Sequence, residues 1–166
     1  MNERGERNSS VDVEAASSSS EFDSVIFYSS FIDKVRYYTQ TGLTDIPLTS
    51  NGEEVVRALG KRIAGPGKIL DPSHLKHAFV SPRTRARKTF ELLFESCPTG
   101  TPQYSLEDGV REWDYGVAEG KVTKDIKAKL GQDWDIWTKG CPEGESPQEM
   151  TDRCDAMIKK IVDLTS

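Results

Sequence analysis

The fold of this 166-residue chain is decided by residues 78–94, which read AFVSPRTRARKTFELLF. The apolar residues 78–80 predict a buried strand that runs directly into Ser81-Pro82. Serine followed by proline is typical of a helix start, with Ser81 as the N-cap and Pro82 at the first helical position. Apolar residues then recur at helical spacing and predict one buried face, made of Ala86, Phe90, Leu93 and Phe94.

Strands and amphipathic helices also alternate around this unit. Upstream, residues 25–28 predict a first strand, and Thr49 or Asn51 can cap a helix that ends at residues 65–67, Gly-Pro-Gly. Downstream, a loop rich in proline and glycine is expected over residues 97–109. The alternation predicts an α/β layered fold.

Two further helices are predicted in the last third of the chain. Thr123 begins a short one that ends at Gly131. Residues 146–149, Ser-Pro-Gln-Glu, form a capping box with proline at the first helical position, so a final helix starts there. We expect that helix to bury one stripe of side chains, namely Met150, Cys154, Met157, Ile158 and Ile161.

Composition and charge exclude several classes of protein. The chain has 22 basic and 27 acidic residues and a net charge of −5, which argues against nucleic acid or an anionic membrane as the main partner. No apolar stretch approaches the roughly 20 residues that cross a bilayer. Three cysteines and two histidines have no recognised zinc spacing, so no metal site is expected.

Residues 1–23 differ from the rest of the chain. They contain six serines, six acidic residues and two arginines, a composition that predicts a disordered tail before a domain over residues 24–166. A mitochondrial presequence is rich in arginine and poor in acids, which is the reverse of this stretch. We therefore expect a cytoplasmic protein.

The first candidate site lies at the start of the helix after Ser81. A strand that enters a helix places the helix N-terminus at the carboxyl edge of the sheet, where free N–H groups favour an anion. Arg85 follows one turn in, and its planar guanidinium can hold two phosphate oxygens together. The alternative is a solvated basic face, which charge runs usually form.

Two other segments carry candidate site residues. In residues 111–116, REWDYG, Glu112 lies between an arginine and two aromatic residues and could act as a general acid, although a simple ion pair is the alternative. Residues 41–49, TGLTDIPLT, are otherwise a loop before the first helix. Glu119-Gly120 predicts a turn.

Together, these segments resemble the histidine phosphatase (phosphoglycerate mutase-like) superfamily in order and spacing, from about residue 41 to residue 161. The resemblance rests on residues 41–49 with Gly52-Glu53, on residues 81–89, on residues 111–116 with Glu119-Gly120, and on Trp137 with residues 140–146. The TGLTD and REWDYG segments are most similar to sedoheptulose 1,7-bisphosphatases of the fungal type. The resemblance implies a three-layer α/β fold with a mostly parallel central sheet, here incomplete at the C-terminus and so a partial domain.

The resemblance also implies roles for individual residues. Members transfer a phosphoryl group to a histidine and then to water or another hydroxyl. Arg85 matches a phosphate-binding arginine and Glu112 the proton donor. Thr41 and Gly42 match a loop that contacts substrate, and Tyr115 lies on the substrate-facing turn. The implied ligand is a small phosphorylated sugar or related phosphomonoester, without a cofactor.

One essential motif of that family is missing from the sequence. The Arg-His-Gly triplet with the nucleophilic histidine should fall at residues 28–30, which are Tyr-Ser-Ser, so Ser29 occupies the nucleophile position. A second histidine is expected only after residue 166. We therefore predict no phosphohistidine catalysis by this chain as written. The main hypothesis is an incomplete copy of a sugar-phosphate phosphatase.

Two alternatives remain. One is a pseudophosphatase that binds a phosphorylated sugar or a protein partner through Arg85 and Thr41. The other is a nucleic-acid contact through the basic residues at 83–88, which the net acidic charge and the lack of interleaved aromatic residues make the weakest.

Overall fold

A three-stranded parallel sheet organises residues 24–27 and 40–165, which are the residues that this computed structural model describes. The strands are β1 (Ser24–Phe27), β2 (His77–Val80) and β3 (Tyr104–Leu106), and they lie in the order β1-β2-β3. In the register, Phe79 is opposite Ile26 on one side and Ser105 on the other. The predicted tail and the Tyr-Ser-Ser triplet at 28–30 lie outside the described residues.

Helices cover both faces of this sheet. They are α1 (Ser50–Ile63), α2 (Thr84–Phe94), α3 (Thr123–Leu130), α4 (Ile136–Lys139) and α5 (Pro147–Thr165), with 3₁₀ turns at Pro72–His74, Asp108–Val110 and Gly116–Ala118. Ala78 and Val80 pack into a cluster with α1 and α2, whereas Phe79 packs against Val110 and Met157 of α5. Successive strand residues point to opposite faces, so the sheet lies between two helical layers, as predicted.

Two of the predicted helix starts are confirmed in atomic detail. The Thr49 hydroxyl accepts a hydrogen bond from the Gly52 N–H at 3.0 Å and caps α1. At α5, the Glu149 N–H donates to Ser146 Oγ at 3.2 Å, and the Ser146 N–H donates to Glu149 Oε2 at 2.9 Å. These reciprocal bonds are those of a capping box.

The predicted start of α2 is wrong by two residues. The helix begins at Thr84, and Arg83 in the N-cap position makes no side-chain capping bond. The cap comes from a distant loop instead, since the Asp45 carboxylate accepts from Thr84 N and Thr84 Oγ1, both at 2.7 Å. An ionised carboxylate at a helix N-terminus is a stronger partner than a serine hydroxyl, and it replaces the local cap.

Two other expectations also need correction. Strand β3 lies inside residues 97–109, where only a loop was expected. The strand has three residues, and its first and last side chains are half exposed, so the sequence shows no alternation of apolar and polar residues there. On α5, Met157 is buried but Ile158 is 57 % exposed. Each helical residue is rotated by about 100° from the last, so Ile158 does not share the face on which Met157 packs against Phe79 and Val110.

No helix within residues 24–27 and 40–165 has the length and apolar character needed to cross a membrane.

Helices α1 and α2 approach each other closely at Gly60. A Cβ atom on Gly60 would lie 2.4 Å from the carbonyl oxygen of Leu93, and that oxygen belongs to the backbone of α2. A glycine in the middle of a helix normally costs stability, so its presence here reflects the need for this contact.

We predict that Gly60→Ala destabilises the protein, although alanine is favoured over glycine by about 1 kcal/mol in a helix interior. The helices must separate to admit the methyl group, which loosens the packing around Val56 and Leu93. Urea unfolding measures the change. The control is Ala58→Gly on the exposed side of α1, which should lose about 1 kcal/mol from propensity alone. A Gly60→Ala protein more stable than the wild type would contradict the prediction.

Candidate functional site

Three segments meet at the carboxyl end of β2. They are the start of α2 with Arg85, the 40–49 loop, and the 111–116 segment, which contains Glu112 and Tyr115. The structure therefore brings together all five residues that the sequence singled out, namely Thr41, Gly42, Arg85, Glu112 and Tyr115.

Arg85 is buried at this junction, with only 2 % of its surface exposed. Its Nη1 donates to the Thr44 carbonyl at 3.0 Å, and its Nη2 donates to the carbonyls of Thr41 at 3.2 Å and Gly42 at 3.3 Å. A buried charge is tolerated only when it is paired and hydrogen-bonded, and these carbonyls meet that need. Arg85 thus holds the 40–49 loop against α2, whereas Arg87 lies on the exposed face, as a solvated basic run predicts.

The helix N-terminus expected to bind an external anion already has one. The Asp45 carboxylate occupies it through Thr84, and the hydrogen bond from the Thr84 side chain lowers the pKa of Asp45 below its ordinary value. The anion-binding property of the helix end is therefore present, but the protein uses it to anchor its own loop.

Glu119 holds the same loop from the opposite side. Its carboxylate accepts from the Gly42 N–H at 3.1 Å and from the Thr44 N–H at 2.8 Å. The sequence indicated only a turn at Glu119-Gly120. Its partners lie 75 and 77 residues away along the chain, so no local spacing could have indicated this contact.

The 40–49 loop also rests directly on the 111–116 segment. A Cβ atom on Gly42 would lie 1.8 Å from the carbonyl oxygen of Trp113, so only glycine fits there without displacing backbone. This contact explains why Gly42 lies beside Glu112 and Tyr115, far along the chain.

Glu112 is shared between a cation and a phenol. Its Oε2 lies 3.5 Å from Arg85 Nη2, and its Oε1 accepts from the Tyr115 hydroxyl at 3.1 Å. The carboxylate side chain is 22 % exposed, so it remains open to a ligand. Burial first, and then the negative charge of Glu112, raise the pKa of Tyr115, so its phenol stays protonated and donates at neutral pH.

A second charged cluster lies behind the 111–116 segment and was missed by the sequence analysis. The buried carboxylate of Glu145 accepts from Arg153 twice, Nε to Oε1 at 2.7 Å and Nη2 to Oε2 at 2.8 Å. Arg111 Nη2 donates to Oε1 at 3.1 Å, and the Asp114 N–H donates to Oε2 at 3.3 Å. The hydrogen bonds from Arg153, above all, hold the pKa of Glu145 below its ordinary value.

Two polar atoms in the segment that leads from β2 into α2 are buried without a hydrogen-bond partner in the described part of the chain. They are Ser81 Oγ, which directly follows β2, and Arg83 Nε. Burial of an unpaired polar atom costs free energy, so such atoms are uncommon in a folded protein. Both lie within four residues of Arg85.

A cavity of about 440 Å³ extends from Glu112 and Tyr115 along α5. Its walls are mostly apolar and include Cys154 and Met157. At its rim, Trp137 is 71 % exposed and meets Trp113 edge to face, with ring centroids 5.4 Å apart. Within residues 24–27 and 40–165, no group of three or more His, Cys, Asp or Glu side chains is placed to hold a metal ion.

Comparison with known proteins gives consistent matches. The family described as Histidine phosphatase superfamily (branch 1) matches residues 34–166. The chain is 35 % identical over 136 residues to the sedoheptulose 1,7-bisphosphatase of Saccharomyces cerevisiae, covering 75 % of this chain and 49 % of the yeast protein. It is 33 % identical over 118 residues to an acid phosphatase of Mycobacterium tuberculosis, covering 71 % of this chain and 52 % of that one.

A solved structure agrees with these matches. The product of the open reading frame Rv3214 of Mycobacterium tuberculosis superposes with a TM-score of 0.58 at 27 % identity, over 76 % of this chain and 59 % of that chain. The chain spans about half the length of the curated relatives that it matches.

The Glu145 ion pair leads to a prediction about pH. Because the folded pKa of Glu145 lies below its ordinary value of 4.5, its contribution to stability is complete above that pH. The contribution is lost as the pH falls through the lowered folded pKa. We predict that Glu145→Gln/Arg153→Met loses less free energy of unfolding than the wild type between about pH 7 and pH 3. Urea unfolding at both pH values measures it, and equal losses would refute the assignment.

Proposed function

Because the chain belongs to the histidine phosphatase superfamily, we propose that the site around Arg85 binds the phosphate of a small phosphomonoester, with phosphorylated sugars as the ligand class. The observation that carries the proposal is a pair of buried atoms without a hydrogen-bond partner among the described residues, Ser81 Oγ and Arg83 Nε, which lie four and two residues before the buried Arg85. Phosphate oxygens accept hydrogen bonds from hydroxyl and guanidinium groups, so this ligand would satisfy both atoms. The similarity to phosphatases in yeast and Mycobacterium supports the ligand class.

In this proposal the other site residues surround the ester. Thr41 and Gly42 form the wall that Arg85 and Glu119 hold in place. Glu112 stands where the family resemblance places the proton donor for a leaving oxygen, and Tyr115 orients its carboxylate through their hydrogen bond. The partial exposure of the Glu112 side chain and its closeness to Arg85 support the assignment.

We also propose that this chain, as written, binds the ester without transferring its phosphoryl group. Ser29 stands where the resemblance places the nucleophilic histidine. The chain would then be a relative of sugar-phosphate phosphatases that acts as a pseudophosphatase, binding a phosphorylated sugar or a protein partner. We propose the domain to begin at residue 24, after a disordered tail. A location in the cytosol fits the unpaired cysteines, since free thiols are typical of a reducing compartment.

We predict that Ser81→Ala weakens phosphate binding about tenfold and leaves the stability of the free protein unchanged or higher. The variant removes a buried hydroxyl that has no partner in the free protein but would have one in the complex. Isothermal titration with orthophosphate and a panel of sugar mono- and bisphosphates measures the affinity, and urea unfolding measures the stability.

A matched pair of variants on α2 accompanies this test. Arg85→Lys keeps the charge but removes the planar guanidinium, and it should weaken binding at least as much as Ser81→Ala. Arg87→Lys makes the same change two residues away on the exposed face and should bind like the wild type. Equal affinities for Ser81→Ala and the wild type would overturn the proposed position of the phosphate.

We predict that the purified protein does not turn over the phosphomonoesters that it binds. Without a histidine at position 29, no phosphohistidine can form there, and the hydroxyl of a serine is a weak nucleophile unless a base activates it. Release of inorganic phosphate from the same sugar phosphates is the measurement. The control is Glu112→Gln, because a contaminating phosphatase would be equally active in both preparations. Hydrolysis that is present in the wild type and lost in Glu112→Gln would show that the chain is catalytic.

A further inference from the structure

The Glu145 and Arg153 cluster contacts the chain on both sides of Glu112. On the N-terminal side, Arg153 Nη1 donates to the carbonyls of Gly109 at 2.9 Å and Arg111 at 3.0 Å. On the C-terminal side, the Glu145 carboxylate accepts from the Asp114 N–H. The backbone around Glu112 is thus fixed at both ends by this single ion pair.

Backbone groups of Glu145 add two further contacts to the same segment. The Trp113 indole N–H donates to the Glu145 carbonyl at 2.9 Å, and the Glu145 N–H donates to the Asp114 carbonyl at 2.9 Å. Residues 111, 113 and 114 are all held, whereas the Glu112 side chain itself takes no part in the cluster. Its carboxylate is left for Arg85 and Tyr115 on the opposite side.

The cluster is itself anchored to the sheet. Arg153 lies on α5, and one turn further along that helix Met157 packs against Phe79 of β2 and against Val110. Strand β2 also leads into α2, which carries Arg85. The ion pair therefore connects the segment that carries Glu112 to the strand that positions Arg85.

We infer that Arg153 and Glu145 are positioning residues for Glu112, which hold its carboxylate beside Arg85 and Tyr115 without touching the ligand. The inference rests on the proposed function, in which Glu112 faces the phosphomonoester. A planar guanidinium that binds a carboxylate through two parallel bonds fixes orientation as well as distance, which a single contact does not.

The test uses Glu145→Gln/Arg153→Met, which removes both charges together. Removal of one partner would leave the other buried and unpaired, whereas replacement of both is far less damaging. Arg111 keeps its ion pair with Asp108, and the backbone contacts of residue 145 remain. The matched control is Lys159→Met/Asp163→Asn, which removes an exposed ion pair from the same helix.

Ionisation of Tyr115 reports the position of Glu112 without any ligand. Burial and the charges of Glu112, Cys141 and Glu119 all disfavour the phenolate, and the Glu112 carboxylate also accepts the phenol's hydrogen bond. Tyrosinate absorbance is followed against pH in each protein, with its Tyr115→Phe counterpart subtracted to isolate this residue. Glu112→Gln provides the reference for a phenol that lacks the carboxylate.

We expect the double variant to lower the ionisation midpoint of Tyr115, as Glu112→Gln does, while the control variant stays with the wild type. Its Kd for orthophosphate should change in the same direction and by a similar factor as in Glu112→Gln. A folded double variant with a wild-type Tyr115 midpoint would overturn the inference. If the wild type binds no phosphate, the proposed function fails, while the Tyr115 titration still decides whether the pair positions Glu112.

Discussion

The arrangement of the whole site depends on the buried guanidinium of Arg85. A charge with 2 % exposure must be met by acceptors, and the chain supplies them by folding the 40–49 loop so that three carbonyls converge on one side chain. That requirement places Gly42 against Trp113 and thereby places Glu112 within reach of Arg85. One side chain on α2 therefore determines the relative position of two segments that lie far apart in the sequence.

Local sequence patterns were sufficient for several features that depend on neighbours in the chain. The cap at Thr49, the capping box at Ser146 and the buried face of α2 each depend on residues within a few positions of one another, and all three were predictable. The start of α2 was not, because Asp45 outcompetes the local serine from 39 residues away. The failed prediction at Ser81 is informative, since it leaves a buried hydroxyl without a partner among the described residues, directly after β2.

The candidate site was predictable as a set of residues but not as an arrangement. The motif resemblance brought Arg85, Glu112 and Tyr115 together, and the structure confirms that they meet. The groups that hold them, Glu119 and the Glu145–Arg153 pair, carry no periodicity or spacing signal of their own. An acidic residue in a loop and an arginine on a helix are common, and only tertiary contact distinguishes these from ordinary surface charges.

The dependence of the loop on remote partners has a consequence for how the molecule fluctuates. The hydrogen bonds from Arg85 to the loop close chain segments of 41 to 44 residues, and those from Glu119 close segments of 75 and 77. Closing such long segments costs more conformational entropy than forming α1 or α2, because the hydrogen bonds within a helix join residues that are close in the sequence. Local opening should therefore cost less free energy at the site than within α1 and α2.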